Sequence, residues 1–308
     1  MTSHPLGTPV HIELPQGPVR YRERGSGSPL VFVHGGLANG DLWRNVVPHL
    51  ADSHRCIAPD WPKGSHAVPM KPDADLSAPG MARLVVDFLD ALRLDRVTLV
   101  ANDSGGAISQ IVATEYPERV DRLVLTSCDT FRQFPPRYLK PLHLISRIPG
   151  AGPRLGLRLA QAWRLKPVYT IFYWSIIKKK PDPAILRSYL DPLADPAIQR
   201  DLVKFFTGTG PRHTLKAASK LCRFTRPALV VWAENDLWFA RRNGKKLARL
   251  IPHGEFELMP DSRTFIPEDQ PEALARTIRL FLERTSGSVA ESSVGAVGTP
   301  VHGSQSGP

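Results

Sequence analysis

The sequence predicts an α/β fold: a mostly parallel sheet with flanking helices and a helical segment inserted late in the chain. Three observations predict it. Short apolar runs alternate with stretches of helical spacing over short connections, the pattern of strands whose covering helices follow them in the chain. The run Val97, Thr98, Leu99, Val100, Ala101, Asn102, Asp103 passes directly into Ser104, Gly105, Gly106 and Ala107, a strand meeting a small-residue turn and a helix. Over residues 131–222 the strand signal disappears, and it resumes at residue 228.

The elements follow in order. Residues 10–14 and 19–24 read as an antiparallel hairpin, and 30–34 is a short apolar run ending in His34, Gly35 and Gly36. Residues 55–59 form a strand, 81–92 carry helical spacing, 97–101 are a strand buried on both faces, 107–116 its helix and 122–126 the next strand. Proline-punctuated helical stretches rich in Leu, Arg and aromatics fill 131–222 and predict an inserted helical cap. The core resumes with a strand at 228–233, a helix at 243–250, a strand at 255–259 and a last helix at 271–284. Beyond 285 a mixture of Ser, Gly, Val and Pro without periodicity predicts disorder. The expected division is thus 1–130 and 223–285 for the two parts of the core, 131–222 for the cap and 286–308 for a disordered tail.

Composition narrows the function. A chain of 308 residues, 42% hydrophobic and 22% charged, can bury a large core. Lys and Arg outnumber Asp and Glu by 40 to 29, giving +11, but the excess is spread over 132–249 with no reading module beside it, so no nucleic-acid partner is expected. The three cysteines, Cys56, Cys128 and Cys222, predict reduced thiols rather than a disulfide framework. No stretch has the apolar core of a signal peptide or the ~20 apolar residues of a membrane span, so a cytoplasmic chain without a stable span is expected. Residues 168–177, followed by Lys178, Lys179 and Lys180, read as a helix face lining a pocket with a solvated lysine end; contact with a bilayer surface is the alternative. Phosphate loops, zinc spacings and flavin or nicotinamide fingerprints are absent, so no cofactor and no metal are expected.

The chemistry gathers at the elbow. A strand, turn and helix of this kind hold the central side chain, here Asp103, out at the carboxyl end of a parallel sheet, with the next backbone N–H, that of Ser104, aimed at the reacting atom. Together with His34, Gly35 and Gly36 after an early strand, Ala58, Pro59 and Asp60 closing another, Asp236 after a late strand and the 265–271 stretch opening the final helix, this order resembles the α/β-hydrolase superfamily. The resemblance covers 19–284 and implies the α/β-hydrolase fold. Counting back from Gly105 and Gly106 makes Asp103 the nucleophile, as in the aspartate branch of haloalkane dehalogenases and epoxide hydrolases, with Ala101 in place of the first glycine. Ser104, the nucleophile of a serine-hydrolase reading, stands one place too late. The backbone N–H groups of Gly36 and Ser104 would be the oxyanion donors. The resemblance therefore implies a hydrolase that attacks a small hydrophobic substrate of the ester, haloalkane or epoxide class. A ligand-binding protein on the same fold, and a lyase or isomerase using Asp103 as a base, are the alternatives.

Two departures stand out. The tryptophans that dehalogenases and epoxide hydrolases place beside these motifs are here Ser104 and Leu37. The histidine expected before Phe265, Ile266 and Pro267 is Thr264, which cannot act as a base near neutral pH. Of the other histidines, His66 and His213 lie on loops near the active face and are the candidate replacements, with His66 the stronger. His253 falls at the opposite edge of the sheet, His302 in the tail, and His34 props the oxyanion loop at the edge of the substrate site. Asp129 and Asp236 occupy the two places for a third acid, and the sequence leaves the choice between them open, along with a pairing to Arg263. Phe131, Phe172, Tyr173 and Trp174 are expected to face the elbow and, with Thr264, to line an apolar pocket.

Overall fold

The chain is described from a computed structural model, which covers residues 4–140, 143–144, 148, 158, 161–162 and 164–294, the side chains of 287–294 excepted. Within it the apolar runs become strands of one sheet. β1 (Pro9–Leu14) and β2 (Gly17–Arg24) form the antiparallel hairpin at one edge, and β2 pairs antiparallel with β4 (His54–Pro59). From β4 the sheet continues in parallel through β3 (Ser28–Val33), β5 (Val97–Asp103), β6 (Val120–Cys128), β7 (Ala228–Ala233) and β8 (Gly254–Met259). Every residue of β7 is buried, and every residue of β5 up to Asn102, because helices cover both faces of the central strands. At the far edge β8 alternates between half-buried and exposed positions up to Leu258 and ends on the buried Met259.

Strand order creates the crevice for a site. β3 lies between β4 and β5, its two successors, so the chain leaves β3 toward one side of the sheet and then crosses to the other. The loops after β3 and β5 diverge at this switch point and leave a cleft outside the carboxyl ends of the strands.

The helices begin where local chemistry starts them. α1 (Ala78–Ala91) opens with the Ser77 hydroxyl accepting the Gly80 N–H at 3.3 Å and a proline in its first turn. α2 (Ser104–Glu115) follows β5 without a connecting residue. In the region expected as a cap lie α3 (Lys166–Ile176), α4 (Pro183–Leu190), α5 (Pro196–Gly208) and α6 (Pro211–Leu221), each with proline in its first turn. Asp182 and Asp195 cap α4 and α5 by accepting the N–H groups of Ala184 and Ala197, at 2.8 and 2.7 Å. Hence Pro167, Pro183, Pro196 and Pro211, among the prolines that erase strand signal here, mark helix starts. α6 packs on α2 of the core, while α7 (Arg241–Leu250) covers β7 and β8.

α8 (Pro271–Val294) runs past its expected end at residue 284. No proline interrupts the chain before Pro300, and Arg122 holds Thr285 through its hydroxyl and carbonyl oxygens at 2.7 and 3.1 Å. The rest of the predicted disordered tail, 295–308, lies outside the described residues. Among the described residues no helix is long and apolar enough to cross a membrane.

Candidate active site

Asp103 ends β5 with φ 54° and ψ −129°, a left-handed backbone that turns the strand into α2 and points the carboxylate at the cleft. Small residues permit the turn. A Cβ on Gly105 would overlap the backbone oxygen of Val33, one on Gly106 would strike Cys128, and one on Gly35 would overlap the Asp103 carboxylate itself. Gly36 N–H donates to Asp103 Oδ2 at 3.1 Å, and the Ser104 N–H also bonds the carboxylate. Burial nevertheless raises the Asp103 pKa to about 6, against the pull of these two donors and of Lys63.

The carboxylate lines a cavity of about 40 Å³. Asp129 and Ser104 share its polar end, while Phe134, Phe172, Phe205 and Trp238 supply much of its apolar wall. Phe172 meets Trp238 edge to face at 5.5 Å. Two of the aromatics predicted for this wall are elsewhere. Trp174 is 60% exposed and stacks on the Arg263 guanidinium at 4.5 Å, and Phe131 lies under the Lys246 ammonium at 4.6 Å. Two helical steps, about 200°, separate Phe172, which lines the cavity, from the exposed Trp174. Tyr173 is buried beside the site, its hydroxyl donating to Leu37 O at 2.6 Å. Lys178 is not simply solvated: its ammonium reaches Asn235 and Asp261.

The position expected to hold an imidazole is filled by a hydroxyl. Thr264, fully buried, donates from Oγ1 to Asp236 Oδ1 at 2.9 Å, and the same oxygen accepts the N–H groups of Trp238 and Phe239 at 2.8 and 2.9 Å. Asp236 is therefore the carboxylate that meets Thr264. Burial raises its pKa despite these donors. Arg263 pairs with neither candidate acid, since its side chain lies against Trp174.

Among the described residues no histidine lines the cavity. His66 is buried against Asp201 of α5, Nε2 to Oδ2 3.2 Å, in a network that also takes the Met70 N–H. His213 lines a groove formed with α1 and α2, beside Ile111, Glu115 and Tyr116. His34 accepts the Trp61 N–H at Nε2 and has Nδ1 2.8 Å from Gly35 O, an arrangement that assigns the ring proton to Nδ1 and uses both nitrogens to hold the loop after β3. Burial drives its pKa well down, so the ring is neutral. His143, which the sequence analysis did not single out, bonds Phe206 O at 3.0 Å and lies 3.4 Å from Thr209 Oγ1, both wall residues.

The sequence analysis also missed Lys63. This lysine is fully buried, its ammonium donates to His34 O, and its own carbonyl accepts the Leu37 N–H at 3.0 Å, so it clasps both ends of the loop that carries Gly36. Burial lowers its pKa to about 7, against the attraction of Asp103 and Asp129. A lone lysine before Gly64 carries no local signal of burial.

With this geometry in hand, similarity to known proteins is informative. Residues 28–152 match a protein family described as the alpha/beta hydrolase fold. A haloalkane dehalogenase from Bradyrhizobium elkani superposes with a TM-score of 0.74 at 20% identity, covering 94% of this chain and 99% of that one. The chain has the α/β-hydrolase fold. Among curated proteins, haloalkane dehalogenase 2 of Mycobacterium tuberculosis is 26% identical over 276 residues, 85% of this α/β-hydrolase-fold chain and 91% of the relative. The cis-3-alkyl-4-alkyloxetan-2-one decarboxylase of Xanthomonas campestris is 27% identical over 303 residues, covering 90% and 96%. Haloalkane dehalogenase-like neighbours at low identity therefore surround this chain.

Proposed function

We propose that this α/β-hydrolase-fold protein is an enzyme that attacks a small hydrophobic electrophile, of the ester, haloalkane or epoxide class, with the Asp103 carboxylate. One observation carries the reading: Asp103 sits at a strained elbow, at the wall of an apolar cavity, with Oδ2 held by the Gly36 N–H. Holding one oxygen leaves Oδ1 to form the bond to carbon. In the resulting ester the held oxygen becomes the carbonyl oxygen, already beside the donors that would stabilise an oxyanion if water attacked. The names of the relatives support an enzyme of this kind.

A second reading is favoured by Thr264. Its hydroxyl, bound to Asp236, cannot take a proton from water near neutral pH, so a reaction that needs no water fits the site better than hydrolysis. Loss of carbon dioxide, named for one relative, adds no water. The lyase or isomerase outcome uses the same Asp103.

Intact-mass spectrometry after incubation with 1-bromobutane, 1,2-epoxybutane or an activated ester tests both readings. We expect an adduct that maps to Asp103 and is missing from Asp103→Asn. Product that has gained the elements of water overall identifies hydrolysis, and product without that gain identifies the lyase or isomerase reading. An adduct or turnover that survives in Asp103→Asn removes both.

A further inference from the structure

The polar end of the cavity holds a second carboxyl group that nucleophilic attack by Asp103 leaves unused. Asp129 follows β6, whose Cys128 pairs in register with Asp103. Its backbone is fixed on both sides: its N–H donates to Asp103 O at 3.3 Å, and its carbonyl accepts Gln110 Nε2 at 2.9 Å. Its side chain is 1% exposed and lines the cavity, and Oδ1 has no hydrogen-bond partner among the described residues. Buried carboxyl oxygens are ordinarily paired, so an unpaired one on a residue that lines the cavity is left to pair with what enters it. Asp236, not Asp129, accepts the Thr264 hydroxyl.

Electrostatics sort the two cavity carboxyls into different roles. Burial and the neighbouring Asp103 push the Asp129 pKa well above the usual carboxylate range, whereas Asp103 has two backbone donors that favour its charge. The negative charge therefore rests on Asp103 while Asp129 keeps the proton. Lys63 is the buried cation attracted to both.

We infer that Asp129 is a catalytic acid that hands its proton to an oxygen leaving group while Asp103 attacks the carbon that bears it. The inference rests on the nucleophilic reading of Asp103. A bond forms between Asp103 Oδ1 and the substrate carbon, and the carbon–oxygen bond of the substrate breaks, its electron pair passing to the leaving oxygen. That oxygen takes the Asp129 proton and becomes a hydroxyl. Asp103 is then a neutral ester and Asp129 a carboxylate, so one negative charge has moved across the site and Lys63 faces the same total charge before and after. A halide leaves without a proton, whereas an alkoxide does not leave readily without one. The site is accordingly matched to substrates that expel an alkoxide-type oxygen, with strained cyclic ethers as the simplest probes.

The experiment compares two four-carbon probes on the full chain, 1,2-epoxybutane and 1-bromobutane, by the rate of Asp103 labelling in the native protein and in Asp129→Asn. General acid assistance is worth about 10²- to 10⁴-fold, so the ratio of epoxide to bromide labelling should fall by about 100-fold or more in the variant. Because both probes report on the same folded molecules, a loss of folded protein cancels from the ratio. An unaltered ratio, or labelling of the native protein by the bromide and not the epoxide, overturns the role of Asp129 and leaves the nucleophile intact. Failure of both probes to label Asp103 overturns the nucleophile and this inference with it.

Discussion

Asp103 is held in a state that the chain would relax if it could. Its left-handed backbone costs about 1–3 kcal/mol, and its burial lifts the pKa to about 6. A carboxyl whose folded pKa is raised binds its proton more tightly in the folded chain. The stability this contributes is complete below the unfolded value of about 4 and is lost as pH rises through about 6. Asp103→Asn removes the ionisation and is expected to be the more stable protein at about pH 8, by on the order of 3 kcal/mol. Urea unfolding at about pH 8 and about pH 4 checks this, because the gap should close at the lower pH; a gap of equal size at both would mean that ionisation is not its source. Asp103 was legible in the sequence because an elbow is written in consecutive residues. Lys63 was not, because its burial depends on His34 and Phe205, which stand on other elements.

At the scale of elements, the seat of α2 against β3 and β6 decides where Asp103 stands. Gly105 and Gly106 let the first turn of the helix touch the Val33 backbone and Cys128, contacts that any side chain would block. Gly105→Ala is expected to cost about 1–3 kcal/mol by forcing the helix away from β3, and to slow Asp103 labelling, since Val33 leads into the loop that carries Gly36. A lowered urea midpoint together with slower labelling is the expected result. Either one at the native value would show that the helix and the loop carrying Gly36 adjust separately. α3 shows the limit of periodicity. Its apolar residues occur all around the helix, with Ile171 and Trp174 exposed and Tyr173 and Ile176 buried, so spacing alone could not choose the inward face.

Across the whole molecule, the helices over the cleft are tied to the core by polar contacts as well as by apolar packing. Tyr173 OH reaches Leu37 O, Phe265 N–H donates to Ile176 O at 2.8 Å, and the Asp269 carboxylate accepts the backbone N–H groups of Lys178, Lys179 and Arg263. On the other side His66 and Arg200 hold Asp201 of α5. Ties of this kind fix the cavity wall relative to the elbow. Tyr173→Phe leaves Leu37 O without its donor in a buried place and is expected to cost about 1–3 kcal/mol. Because Leu37 follows Gly36, the same change should slow Asp103 labelling. Thermal unfolding and labelling rates measured together check it, and lowered stability with an unaltered rate would separate this tie from the placement of Gly36.

The sequence by itself determined the strand and helix order, the elbow at Asp103, the glycines that let it form and the hydroxyl at Thr264 where an imidazole was expected. These are local: periodicity, turn chemistry and residue identity are carried by neighbours along the chain. The tertiary structure decided that Asp236 meets Thr264, that Asp129 lines the cavity, that Lys63 is buried with its ammonium on His34 O, and that Phe172 rather than Trp174 turns inward. Each of those outcomes depends on desolvation and on partners far away in the chain, and neither quantity exists until the elements have packed.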